Sequence, residues 1–274
     1  MKLQLASFAK HMCLLGVLAY LAPNAIAQAA DHAQEESSSV KEIADQPSFY
    51  LWPIDAWEKW NGNEEEYKAL EKDVDMALQK TKQPEELVKQ LKLAAGQSRK
   101  DSKAQFKWGY AAYKLYLSKK PADKSLLNGV SWRLGLLPAD TYRYARLQFL
   151  VEATKYPQRD VIKFGRILAK QNPQDAEVKY QLLSLLDPSE STKEMTESLA
   201  LAKELIDLDP KRPSAHAAYA GVYWVIWEMT EKRSDAEIAI QSYKKFLELA
   251  PPDHEFRGQA ERLISFIEKR LSAQ

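Results

Sequence analysis

Few residues in this chain have the type and spacing that catalysis or metal binding requires. Of its four histidines, three lie beyond residue 27, namely His32, His216 and His254. None of the three has a second ligand about one helical turn away, as a helical zinc site needs. The chain also lacks the His-Glu-x-x-His and Gly-x-Ser-x-Gly motifs and a glycine-rich phosphate loop. We therefore predict a non-enzymatic protein with no cofactor and no metal site.

Two acidic clusters could be read as the paired carboxylates of a general acid and a general base. Glu64, Glu65 and Glu66 form the first cluster, and Glu85 and Glu86 form the second. Both stand where an apolar pattern of helical spacing begins. Carboxylates in the first turn of a helix are stabilised by the positive end of its dipole. We interpret both clusters as helix starts.

Positive charge is concentrated in the middle of the chain, between Arg99 and Lys170. This basic middle contains 16 basic and five acidic residues, whereas the segments 35–95 and 171–274 carry an excess of acid. Such a distribution is typical of a surface that binds an anionic partner, and a solvated helix face gives the same pattern. The candidate partner-binding residues are Arg143, Arg146, Arg159, Lys163, Arg166 and Lys170. The last four recur at helical spacing and are expected on one face.

A second candidate surface is the aromatic segment 49–63, which contains Trp52 and Trp57. Five aromatic residues fall within 12 positions of this segment. They can cover the apolar end of a stack of helices, or they can form an exposed patch that docks a partner or stacks on sugar rings. We expect an N-terminal cap, and the patch remains the alternative.

The N-terminal part of the chain indicates export. Residues 1–27 combine a basic start, an apolar run and an Ala-x-Ala end, which is the pattern of a cleaved signal peptide. The apolar run is 11 residues long, whereas a membrane-spanning helix needs about 20. Cys13 lacks the small apolar neighbours of a lipoprotein acylation site. We predict a flexible polar tether over 28–48, and a periplasmic or secreted protein without a transmembrane segment once the signal is removed.

Beyond residue 27 the chain contains no cysteine and is close to electrically neutral. Cys13 is the single cysteine, so no disulfide framework is expected. The whole chain has 39 Lys and Arg against 38 Asp and Glu. Net charge therefore gives no reason to expect nucleic acid as a partner.

The elements that would position these residues follow a repeat. From Ala176 to Pro213 is 37 residues, and equal steps backwards reach positions 139, 102 and 65. Prolines recur near two places in this period, where they start or end helices. Each period holds apolar patterns of helical spacing and no alternating strand pattern. The repeat domain is predicted over 65–253, with Leu208 buried between stacked hairpins and a capping helix over 254–274.

The segment 176–253 resembles tetratricopeptide repeats. The residues that carry the resemblance are Leu208-Asp209-Pro210 and Leu249-Ala250-Pro251 at helix ends, Ala220 and Tyr223 in one helix, and Ala239, Tyr243 and Phe246 in the next. A repeat of this family is usually about 34 residues long. The last repeat here is longer, since it runs from Pro213 to Asp253, with its excess near 228–235.

The resemblance implies an all-α fold, a right-handed α-solenoid of about five helix-turn-helix repeats with a C-terminal capping helix. It also implies an adaptor or scaffold that binds a protein or peptide partner in cell-envelope assembly. One alternative remains open. The basic middle and the aromatic segment could together bind an anionic glycan in envelope or exopolysaccharide assembly.

Overall fold

A computed structural model describes residues 62–119, 123–127, 129–135, 137, 139–154 and 159–273. Over these residues the chain forms eleven α-helices and one short 3₁₀ helix, with no strand. The predicted all-α fold is confirmed. The signal-like segment, the tether and nearly all of the aromatic segment lie outside the described residues. The chain divides after Asn172 into two compact units, each of which is described by itself.

The first unit covers the described residues from 62 to 172. Its α-helices are α1 (Glu64–Lys80), α2 (Pro84–Gln97), α3 (Ser102–Ser118), α4 (Val130–Gly135), α5 (Tyr142–Ala153) and α6 (Arg159–Gln171), and its 3₁₀ helix is Lys124–Leu127. As predicted, α2 begins at the proline of Pro84 and the acids Glu85 and Glu86 occupy its first turn.

Polar side chains set the starts of the first helices. Asn63 accepts a hydrogen bond from the Glu66 amide at the start of α1, and Thr141 accepts one from the Tyr144 amide at the start of α5. Asp101 accepts two amide hydrogen bonds at the start of α3, at 2.9 and 3.2 Å. These caps satisfy donors that the first turn of a helix leaves without partners.

Helix α3 forms the centre of the first unit. It contacts α1, α2, α4, α5 and the 3₁₀ helix. Its Phe106, Tyr110, Tyr113 and Tyr116 are all buried, so these aromatics belong to the core. The Phe106 ring meets the Tyr67 ring of α1 edge-on, with 4.9 Å between ring centroids. Aromatic packing of this geometry stabilises a core beyond its buried area.

The second period departs from the expected hairpin. In place of one long second helix it has the 3₁₀ helix and the short helix α4. Gly129 lies between them with a φ of +79°, in the left-handed region that only glycine adopts without strain. Gly135 then ends α4. The second helix of this period is therefore broken into two short pieces.

Helix α1 packs directly on α5 as well as on α3. The Gly62 amide donates a hydrogen bond of 2.7 Å to the Asp140 carbonyl, just before α5. In a linear stack, each repeat contacts only its neighbours. The first unit differs from such a stack because its first and third periods touch.

The second unit covers the described residues from 173 to 273. Its helices are α7 (Ala176–Leu185), α8 (Thr192–Leu208), α9 (Pro213–Thr230), α10 (Arg233–Leu249) and α11 (Arg257–Ser272). In sequence order, each helix contacts the next from α7 to α11. This is the connectivity of two successive helical hairpins followed by a final helix.

The extra length of the last repeat lies in α9. The starts of α9 and α10, Pro213 and Arg233, are further apart in the sequence than the starts of α7 and α8, Ala176 and Thr192. The difference corresponds to about one helical turn. Helix α9 ends at Thr230, and Glu231 follows with a φ of 56° in the left-handed region that often ends helices.

The core of the second unit forms where α9, α10 and α11 meet. Trp227, Phe246 and Ile267 from these three helices are almost completely buried in it. In the neighbouring hairpin, the sequence predicted Leu208 as a buried residue, but the fully buried leucine lies one turn earlier. Leu208 at the end of α8 is only half-buried, and Leu205 is the fully buried residue. Leu208 lies at the end of its helix, next to the Pro210 turn, where solvent reaches it.

Candidate functional site

Four bases of the basic middle pair with acidic residues on other helices of the first unit. The acids belong to α1 and α2, and the bases belong to α3, to the residue after α3 and to α5. The ion pairs are Lys103–Glu66 at 2.5 Å, Lys114–Asp75 at 3.2 Å, Lys119–Glu85, Arg143–Glu64 at 3.0 Å and Arg143–Glu71.

The packing of the helices explains this pairing. Because α1 contacts both α3 and α5, the acidic start of the repeat region lies against the basic helices that follow it. These ion pairs also shift the pKa values of some of their members. The hydrogen bond with Glu66 raises the pKa of Lys103, and the hydrogen bond from Lys119 lowers the pKa of Glu85. The uneven charge of the sequence is therefore partly neutralised in the fold.

Arg143 and Arg146 lie at the packed face between α5 and α1. The Arg143 side chain is 27% exposed and the Glu71 side chain 14% exposed. Burial raises the pKa of Glu71, and the positive charges of Arg143 and Arg146 oppose that rise. Arg146 also acts on the buried Tyr110 hydroxyl of α3. The structure thus places these two candidates among internal partners.

The other four basic candidates form a separate group on α6, which we call the α6 stripe: Arg159, Lys163, Arg166 and Lys170. The opposite face of α6 is buried and consists of Val161, Phe164, Gly165 and Leu168. At 100° per residue the four bases fall within an arc of about 60°, centred opposite that buried face. The stripe is about 16 Å long, since a helix rises 1.5 Å per residue.

The α6 stripe has little negative charge on its own helix. Asp160 is the single acid of α6, and its Oδ1 lies 3.0 Å from Lys163 Nζ in a solvent-exposed ion pair. Exposed pairs of this kind contribute little to stability and exchange readily with other ions. Arg159, Lys163 and Lys170 are exposed, and Arg166 is half-exposed.

The two tryptophans proposed from the sequence, Trp52 and Trp57, lie outside the described residues.

A pair of tyrosines on α9 is the feature that sequence reasoning missed. Tyr219 and Tyr223 are half-exposed, and their ring centroids lie 4.9 Å apart in an edge-on arrangement. Burial, a hydrogen bond with Tyr223 and the negative charge of Asp207 together raise the pKa of Tyr219 to about 12. In the sequence, Tyr223 contributes to the resemblance to tetratricopeptide repeats, and Tyr219 is not singled out.

Helical geometry explains why the tyrosines reach solvent. The α9 residues in the core with α10 and α11 are Ala220, Trp224 and Trp227. At 100° per residue, Tyr219 projects about 110° and Tyr223 about 70° away from the centre of that face. A helical projection of α9 anchored on Ala220 would have separated the pair from the core.

The described histidines have structural roles. His216 Nε2 lies 2.8 Å from the Pro210 carbonyl at the turn before α9. His254 Nδ1 accepts a hydrogen bond from the Phe256 amide, and its ring packs edge-on against Phe246 with centroids 5.1 Å apart. Among the described residues, no group of three or more His, Cys, Asp or Glu is arranged to hold a metal ion.

Within the described ranges, none of the helices is long and apolar enough to cross a membrane. Comparison of the chain with models of protein families, with curated proteins and with solved structures returns no match.

Proposed function

We propose that this chain is an exported, non-enzymatic helical-repeat adaptor that binds a protein or peptide partner through the tyrosine pair of α9. The observation that carries the proposal is the position of Tyr219 and Tyr223. They are half-exposed on a helix whose other faces are largely buried. Tyrosine is enriched where proteins bind each other, because it supplies a large amphipathic surface at a low entropic cost.

The surroundings of the pair favour a partner with both apolar and hydrogen-bonding groups. The two rings offer apolar faces, and their hydroxyls offer hydrogen bonds. Asp207 adds a negative charge close to Tyr219. At the start of α9, Arg212 stacks over the Tyr180 ring at 5.3 Å and pairs with Glu177 at 3.6 Å. An extended segment with an apolar anchor and a cationic group fits this chemistry.

The packing of Tyr223 against the core favours recognition of the partner by a preformed surface. Tyr223 packs partly against the core of α9, α10 and α11. A binding residue held by a packed helix loses less conformational freedom on association than one on a loop. Placement in the cell envelope rests on the signal-like segment 1–27 and on the resemblance to tetratricopeptide repeats.

Site-directed crosslinking tests the proposal. A photoreactive residue is introduced at Tyr223, and the same residue at exposed Lys203 on α8 is the control. In cells we expect Tyr223 to crosslink to one envelope protein in stoichiometric yield, and Lys203 not to do so. Tyr219→Ser/Tyr223→Ser should weaken the purified complex by about thirtyfold or more, because aromatic hot spots are typically worth about 2 kcal/mol or more.

Two outcomes would exclude this role for the α9 face. One is identical crosslinked products at both positions. The other is unchanged affinity of the double serine variant with a folded-state spectrum like that of the wild type.

A further inference from the structure

We propose that the α6 stripe is a binding surface for a linear anionic polysaccharide, separate from the tyrosine pair of α9. This inference goes beyond the adaptor function and does not depend on it.

Lys103, Lys114, Lys119 and Arg143 pair with acids on α1 or α2. On α6, Lys163 pairs with Asp160 of the same helix, in an exposed contact. The first group is thus paired through tertiary packing, and α6 itself contains four bases and one acid. Arg159, Lys163 and Lys170 of the stripe are exposed and lie on one face of a single helix.

The arrangement of the stripe selects the shape of the partner. Its four bases form a narrow line about 16 Å long, with steps of roughly 6, 4.5 and 6 Å along the helix axis. A line of charge matches a linear polymer with regularly spaced anions. A membrane would require a broad basic field, whereas the stripe occupies only about 60° of one helix.

The chemistry of the stripe favours a glycan over a peptide. Peptides are usually recognised through pockets for side chains, through sheet-edge hydrogen bonds or through apolar grooves. The apolar residues of α6, including Phe164 and Leu168, are turned inward and buried. Charge is therefore what the stripe presents, and a polymer of uronic acids offers a matching repeat of carboxylates.

Binding of an oligogalacturonate to the purified full chain tests this inference. Affinity is measured by calorimetry at low and at physiological salt, with an uncharged dextran, a polyglutamate and anionic phospholipid vesicles in parallel. The test variant replaces Arg159, Lys163, Arg166 and Lys170 by Gln. The control replaces four dispersed exposed bases by Gln, namely Lys82, Lys203, Lys232 and Lys269, so that both variants lose the same net charge.

We expect wild type to bind the oligogalacturonate, and its affinity to fall as salt screens the charges. The stripe variant should lose at least about tenfold in affinity and most of the salt dependence, whereas the dispersed control should change by less than about threefold. Dextran should not bind. Absence of oligogalacturonate binding by wild type, or equal losses in the two variants, would overturn the proposal. Tighter binding to polyglutamate or to the vesicles would also overturn it and would assign the stripe to that partner.

Discussion

Arg143 of α5 donates a hydrogen bond to the carboxylate of Glu71 on α1, across 72 positions of the chain. Arg143 Nε also lies 3.0 Å from Oε1 of Glu64, which is on α1 like Glu71. Both members of the Arg143–Glu71 pair are shielded from solvent, so this arginine binds two helices of the first unit together.

Arg143→Gln should therefore destabilise the protein by about 1–3 kcal/mol, because it removes the cation that is hydrogen-bonded to a shielded carboxylate. Arg159→Gln on the exposed face of α6 is the matched control and should change the free energy of unfolding by less than about 0.5 kcal/mol. Urea unfolding followed by circular dichroism measures both. Equal stability of the two variants would mean that the pair contributes nothing.

The same pair predicts a dependence on pH. Burial raises the pKa of Glu71 above its ordinary value of 4.5. The folded chain then holds this proton more tightly than the unfolded chain, so the contribution of Glu71 to stability is present below pH 4.5 and is lost as pH rises through the raised value. Without Arg143 the pKa of Glu71 should rise further.

The deficit of Arg143→Gln relative to wild type should consequently shrink as the pH is lowered from 7.5 towards about 5. Urea midpoints at several pH values give this difference. In a Glu71→Gln background the effect of Arg143→Gln should no longer depend on pH in this range. If the stability loss caused by Arg143→Gln is the same at every pH in the chain that keeps Glu71, then Glu71 does not titrate in this range.

Gly62 should not tolerate alanine. A Cβ atom there would lie 2.7 Å from the Asp140 carbonyl oxygen, the atom that accepts the hydrogen bond from the Gly62 amide. We expect Gly62→Ala to cost about 1–3 kcal/mol. Gly96→Ala in α2 is the control, because its Cβ would meet no atom within 4 Å. It should stabilise the protein by about 0.4–1 kcal/mol. A Gly62→Ala variant with the same free energy of unfolding as wild type would contradict the close contact.

Two leucines of α8 should respond differently to the same substitution. Leu205→Asp places a carboxylate at a fully buried position, and we expect it to unfold the second unit. Leu208→Asp, at a half-buried position, should leave the unit folded. Hydrogen exchange of residues 173–273 distinguishes the two, and equal protection in both variants would contradict the difference in burial.

Those features of the fold that depend on local patterns could be predicted from the sequence. The starts of α2, α7 and α9 follow from Pro84, Ala176 and Pro213, because capping and proline act within one turn. The broken second helix of the second period could not be predicted, although Gly129, with its left-handed backbone angle, lies at the break. Nothing in the spacing distinguishes that glycine from others in the chain.

The same distinction applies to the candidate surfaces. A surface set by local spacing could be predicted, and contacts set by packing could not. The α6 stripe follows from helical spacing alone, so its four residues could be grouped in advance. The internal position of Arg143 and Arg146 could not be predicted, because Glu71, on which both positive charges act, lies on a helix more than 70 positions earlier. Ion pairs between distant helices depend on packing, which neither composition nor periodicity contains.

The direct contact of α1 with α5 also limits how the first unit folds and how it can change in length. Its contacts join residues more than 70 positions apart, so closing them costs more loop entropy than the neighbour-to-neighbour contacts of a repeat array, and folding is correspondingly slower. An array can lose or gain a whole period and reform its junctions. Deleting the second period here would remove α3, on which α1, α2, α4 and α5 all pack. We therefore expect the first unit to fold as one piece, although its sequence carries the period of a repeat.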